Sequence, residues 1–157
     1  MKDLDENIQL LAPMSELDFF DTQSCVLPQA LTALQAWQKA QSRPMPVLKL
    51  AFRVRDMISG WFGVRQIGGF SGELPQNLQV GDMLDFFLVE HLSADILTLT
   101  VRDKHLDVMT CVSVAGKALT VTSSVTTHNT FGRFYMLPVA PAHKLIVRSM
   151  LKGLKAS

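Results

Sequence analysis

Four histidines and the polar groups beside them are the side chains of this sequence best suited to chemistry. The densest cluster is Asp103-Lys104-His105-Leu106-Asp107. His105 and Asp107 are two residues apart, so on a strand they share a face. A carboxylate beside an imidazole raises its basicity and fixes one tautomer, which is half of a general-base arrangement. No nucleophile is tied to the pair by spacing, and the same residues suit a solvated hairpin end. His128, within Thr126-Thr127-His128-Asn129-Thr130, closes the last strand-like run. It is expected either at a cavity mouth with Arg133 and Tyr135 or bonded to loop backbone. His105, Asp107 and His128 are therefore the catalytic candidates. His143 falls on an apolar helix face, where it is either a polar group in a cavity or a satisfied core residue.

Other chemistries find little support. No two of His91, His105, His128 and His143 lie three to five residues apart, so local spacing gives no zinc site and no metal is expected. The two cysteines, Cys25 and Cys111, are too few for a disulfide scaffold. Cys111 sits in a strand without a nearby histidine and reads as an inert buried thiol. Gly68-Gly69-Phe70-Ser71-Gly72 carries no lysine, so it reads as a turn or lid rather than a phosphate loop. No GxGxxG follows a strand, and no nucleotide cofactor is expected. Lys144, Arg148, Lys152 and Lys155 share a helix face that lacks interleaved aromatics, so nucleic acid is not an expected partner. The run MKDLDENI is acidic where a secretory signal is basic and then apolar, which makes a cytoplasmic location the expectation. No stretch is apolar for long enough to cross a membrane.

These side chains need a scaffold, and 157 residues with 48% hydrophobic and 18% charged content fit one domain over 1–157 with a full core. Residues 1–15 read as a loose arm. Leu17 to Val26 reads as a first strand, and 29–41 as a helix with Leu31, Leu34 and Trp37 at helical spacing. Val47, Leu50, Ala51, Val54, Ile58 and Trp61 form a second helical stripe over 47–62. Gln66 to Gly81 is glycine-rich loop. Met83–His91, Asp95–Arg102, Leu106–Val114 and Leu119–Thr127 then read as strands joined by short turns. The alternation predicts a meander with one packed and one wet face. Pro138 and Pro141 place the start of the regular terminal helix near Pro141, with His143, Ile146, Val147, Met150, Leu151 and Leu154 on its apolar face.

The order of strand, two helices, antiparallel meander and long terminal helix predicts an α+β helix-grip fold, a curved sheet wrapped around its last helix. Two segments also carry a resemblance. Asp103 to Asp107, and His128-Asn129-Thr130-Phe131-Gly132-Arg133-Phe134-Tyr135 continuing through His143 to Leu151, resemble an uncharacterised bacterial domain-of-unknown-function family. Members of that family also occur fused behind short-chain-dehydrogenase or epimerase-like domains. The helix-grip order is similar to that of the birch-pollen-allergen and START-like superfamily, and the family resemblance implies no established activity.

In that layout a pocket is expected between sheet and terminal helix. Its expected lining is Phe86, Leu88, Leu97, Leu99, Val112, Val125, Ile146 and Met150, with Arg133, Tyr135 and His143 as polar groups. The leading expectation is binding of a hydrophobic or amphipathic small molecule. The alternatives are a cyclase- or hydratase-type enzyme using a cavity His–Asp pair, and an interaction module, such as a homodimer, acting through Phe19-Phe20 or Trp61-Phe62. The net charge of +1 conceals alternating blocks. Residues 1–21 hold six acids and one base, 22–65 six bases and one acid, 66–107 seven acids and two bases, and 108–157 six bases and no acid. Pairing between neighbouring blocks is the simplest expectation.

Overall fold

The structure, a computed structural model, describes residues 8–42, 49, 53, 56 and 76–155. A 3-10 turn at Met14–Glu16 leads into β1 (Phe19–Val26) and α1 (Ala33–Gln41). Then β2 (Met83–Leu84), β3 (Phe87–Leu92), β4 (Ile96–Arg102), β5 (Leu106–Ala115) and β6 (Ala118–Thr127) precede α2 (Thr130–Lys155). All six strands join one open antiparallel sheet in the order β1-β6-β5-β4-β3-β2. The arrangement is α+β and consistent with the expected helix-grip layout. Lys49, Arg53 and Asp56 are helical, as the 47–62 stripe requires. The rest of that stripe, Trp61-Phe62 and the glycine-rich loop before Gln76 lie outside the described residues.

β1 is placed by a long-range pairing, Phe19 opposite Val125 and Asp21 opposite Ser123. This sets the first strand beside the last, where α2 crosses it. α1 begins at Ala33 rather than near residue 29, because Thr32 and Gln35 form a reciprocal capping box there. The Ala33 N–H also donates to the Ala94 carbonyl, which ties α1 to the β3–β4 turn.

Three expectations are corrected. The run Met83–His91 is two strands, since Asp85 adopts a positive φ of 54° and turns the chain at Asp85-Phe86. A run that is apolar at both parities conceals such a turn. Next, α2 starts at Thr130, eleven residues before Pro141. Each proline removes one backbone donor, from the Phe134 and Leu137 carbonyls respectively. Both prolines and both of those residues are exposed, so water can reach the freed carbonyls.

The third correction concerns the sheet face turned away from α2, which is polar but not wet. Thr98, Thr100, Cys111, Thr122 and Ser124 there are all buried. Part of the expected loose arm lies on this face. The Thr98 hydroxyl donates to Gln9 Oε1 at 2.6 Å, and the Leu11 N–H donates to Ser124 Oγ at 3.2 Å. Buried hydroxyls are tolerated when they find such partners.

Candidate functional site

Along β5 and β6 the residues facing α2 alternate with those facing away. Val108, Thr110 and Val112 on β5 and Val121, Ser123 and Val125 on β6 form one wall of a cavity of about 270 Å³. Tyr135, Val139, His143, Ile146 and Met150 of α2 form the facing wall. Trp37 of α1, Phe86 and Phe87 add aromatic surface, with the Trp37 and Phe87 rings edge-on at 5.7 Å. Most of this lining is apolar, and among the described residues no charged side chain contributes to it.

Two polar residues meet in the cavity. His143 Nε2 lies 2.8 Å from Ser123 Oγ. Ser123 interrupts the apolar parity of β6, and His143 interrupts the apolar face of α2. Phe19 packs edge-on against the imidazole at 6.0 Å between centroids. Burial pushes the His143 pKa below its ordinary 6.5, while the Asp21 carboxylate pulls in the opposite direction. Asp21 is the cross-strand neighbour of Ser123 and accepts a hydrogen bond from Gln23 Nε2 at 2.8 Å. The same Gln23 amide donates to the Lys144 carbonyl, tying β1 to α2 beside His143.

The catalytic candidates lie elsewhere. His105 precedes β5, and its Nδ1 is 2.9 Å from Asn129 Nδ2. Its ring lies against Phe131, with centroids 4.5 Å apart, and its enclosed Nε2 makes no hydrogen bond among the described residues. Asp107 pairs instead with His128, at 3.1 Å, and with Arg102, at 3.3 Å. Arg102 also meets Glu90 at 3.1 Å. Asp107 has the parity opposite to Leu106 and Val108, so this network occupies the sheet face away from the cavity. The expected His105–Asp107 pair does not form, and none of His105, Asp107 and His128 lines the cavity. A His–Asp pair does exist, between strands rather than along one. Antiparallel register sets Asp107 opposite Thr126, within reach of His128.

Of the expected lining residues, Phe86, Val112, Val125, Tyr135, His143, Ile146 and Met150 are in the wall. Leu97 and Leu99 are fully buried core residues that do not reach it. Leu88 lies opposite Thr100 on the other sheet face, because the turn at Asp85 resets the parity of β3. Arg133 is exposed and outside the wall. Phe19, Trp37, Thr110 and Ser123 belong to the wall but were not singled out by sequence. A serine within an apolar alternation was the available signal. Burial raises the pKa values of the Cys25 and Cys111 thiols, which fits inert packing. No group of metal-ligating side chains occurs among the described residues. No described helix is long and apolar enough to cross a membrane.

A family model described as a protein of unknown function (DUF2867) matches residues 13–150. No curated protein and no solved structure matches the chain.

Proposed function

The chain belongs to that family of unknown function, and from this premise we propose that it binds a hydrophobic or amphipathic small molecule between the sheet and α2. The observation that carries this reading is the cavity of about 270 Å³ with an almost wholly apolar wall. Protein interiors leave few voids larger than a water molecule. This cavity opens partly to solvent, so without a ligand its apolar wall would face water. Covering such a wall is favourable by roughly 25 cal/mol per Å² of apolar surface, which makes an apolar ligand its best occupant. The enzyme alternative loses its basis, because the His–Asp pair lies on the opposite face.

Uptake of an apolar fluorescent dye tests the reading. The protein is expected to bind the dye with one saturable site, and Val139→Phe, which fills the space from α2, is expected to weaken uptake at least tenfold. Undiminished uptake by a folded Val139→Phe protein would place the dye elsewhere and contradict the proposal.

In a second reading, as an interaction module, Trp61-Phe62 lies outside the described residues, and another apolar surface comes forward. Phe19 lines the cavity and Phe20 is half-buried, so neither offers a free apolar surface. Phe134, Leu137 and Leu145 of α2 are instead about two-thirds exposed. Sedimentation of the protein and of Leu137→Glu decides this reading: a dimer that the substitution dissociates supports it, and a monomer at all concentrations rejects it.

A further inference from the structure

The wall of the cavity narrows the chemistry of its occupant. His143 and Ser123 spend one hydrogen bond on each other, at 2.8 Å. A neutral imidazole has a second nitrogen with its own donor or acceptor capacity, and a hydroxyl has one donor and two acceptor positions. Among the described residues, His143 Nδ1 and the remaining capacity of Ser123 have no protein partner. Both side chains are part of the cavity wall, and Ser123 is only 2% exposed. His143 is only partly buried, so water reaches the pair while the pocket is open, and an occupant that displaces this water must replace its hydrogen bonds.

The electrostatic setting argues against a charged occupant. No Lys or Arg is among the described wall residues. Among the described residues, the charged groups near His143 are Asp21 of β1, whose sign opposes a carboxylate ligand, and the exposed Lys144 of α2, whose Nζ lies 5.8 Å from the Phe19 ring centroid. A carboxylate brought into the apolar cavity would lose its hydration without gaining a counter-charge. An oxygen that is polar but uncharged avoids that cost and still bonds to the pair.

Resting on the cavity-binding reading, we propose that the occupant is an uncharged amphiphile whose single hydroxyl or carbonyl oxygen is held by His143 and Ser123, with its apolar body against β5, β6 and α2. The pair is then the specificity-determining feature of the site, and the apolar wall supplies most of the affinity.

Three probes of one shape test this by calorimetry at pH 8: butylbenzene, 4-phenyl-1-butanol and 4-phenylbutanoate. The alcohol is expected to bind about 2- to 10-fold more tightly than butylbenzene, the worth of one neutral hydrogen bond. The carboxylate is expected to bind at least about tenfold more weakly than the alcohol. In His143→Phe the alcohol's advantage should vanish while butylbenzene still binds, and His143→Gln, which retains hydrogen-bonding capacity, should restore part of it. Tightest binding by the carboxylate, or an alcohol advantage that survives in His143→Phe, would overturn the inference. Equal binding of alcohol and butylbenzene to the unaltered protein would overturn it without recourse to any variant, and would leave the cavity reading standing. Failure of all three to bind would overturn both.

Discussion

His143 illustrates how one residue can be satisfied and still available. Its Nε2 bonds to Ser123, Phe19 stacks edge-on against it, and burial lowers its pKa. Since the folded state disfavours the charged ring, the unfolded state binds the proton more readily. Stability from this group is therefore fully present above about pH 6.5 and is lost as the pH falls through and below that value. Urea denaturation across pH 7.5 to 5 should show this acid-side loss, and it should be smaller in His143→Gln. An unchanged slope would contradict the assignment. Gly132 carries a second residue-scale prediction. A Cβ there would collide with the backbone carbonyl oxygen of His105, which cannot swing aside as a flexible side chain would. Gly→Ala inside a helix ordinarily stabilises. Here Gly132→Ala is expected to cost about 1–3 kcal/mol in urea denaturation. At this scale the sequence exposed His143 but misassigned the His–Asp contact. Spacing along a strand says nothing of register between strands, and register is what gives Asp107 to His128.

At the scale of elements, the start of α2 is the junction that fixes one wall of the cavity. Asn129 Oδ1 accepts from the Gly132 N–H at 2.9 Å, capping the helix, while its Nδ2 meets His105 Nδ1 and the Lys104 carbonyl. One side chain thus joins the helix to the β4–β5 turn. Asn129→Ala is expected to lower stability by about 1–2 kcal/mol, and Asn129→Asp, which retains the cap acceptor, by less. Thermal unfolding of the two variants would show the order. Pro138 and Pro141 explain why the first eleven residues of α2 escaped a reading based on breakers. Proline costs a helix up to about 3 kcal/mol in its interior, but a capped start and an exposed site let the helix continue. Pro138→Ala should therefore raise the melting temperature, and a drop would show that the ring makes a packing contribution. The strands were more legible, because period-two alternation is a direct record of burial. It failed at Asp85-Phe86, where a two-residue turn interrupts an otherwise unbroken apolar run.

At the scale of the whole molecule, the alternating charge blocks bear on pairing that lies partly outside the described residues, since much of the basic block 22–65 is not among them. Asp18 is bonded by the Thr127 N–H and hydroxyl, and Asp103 by the backbone of His105 and Leu106. Arg102 pairs with Glu90 and Asp107 of its own block, and Asp107 pairs with His128 of the basic block that follows. Asp18 and Asp103 thus close a strand end and a turn, and the basic groups of α2 are exposed. What the blocks could not convey is the cavity, since the same apolar residues would serve equally to fill a core. Whether two apolar faces meet or stand apart depends on the separation of sheet and helix, which periodicity does not encode. The cavity also carries the central claim, that this fold holds an apolar or amphipathic molecule. The most direct measurement is native mass spectrometry of the purified protein, before and after adding 4-phenyl-1-butanol, with the mass compared after denaturation. The expected result is one bound molecule, either co-purified or taken up from solution, that is released on unfolding. A bare chain of 17.4 kDa that remains bare in the presence of the alcohol would contradict the account.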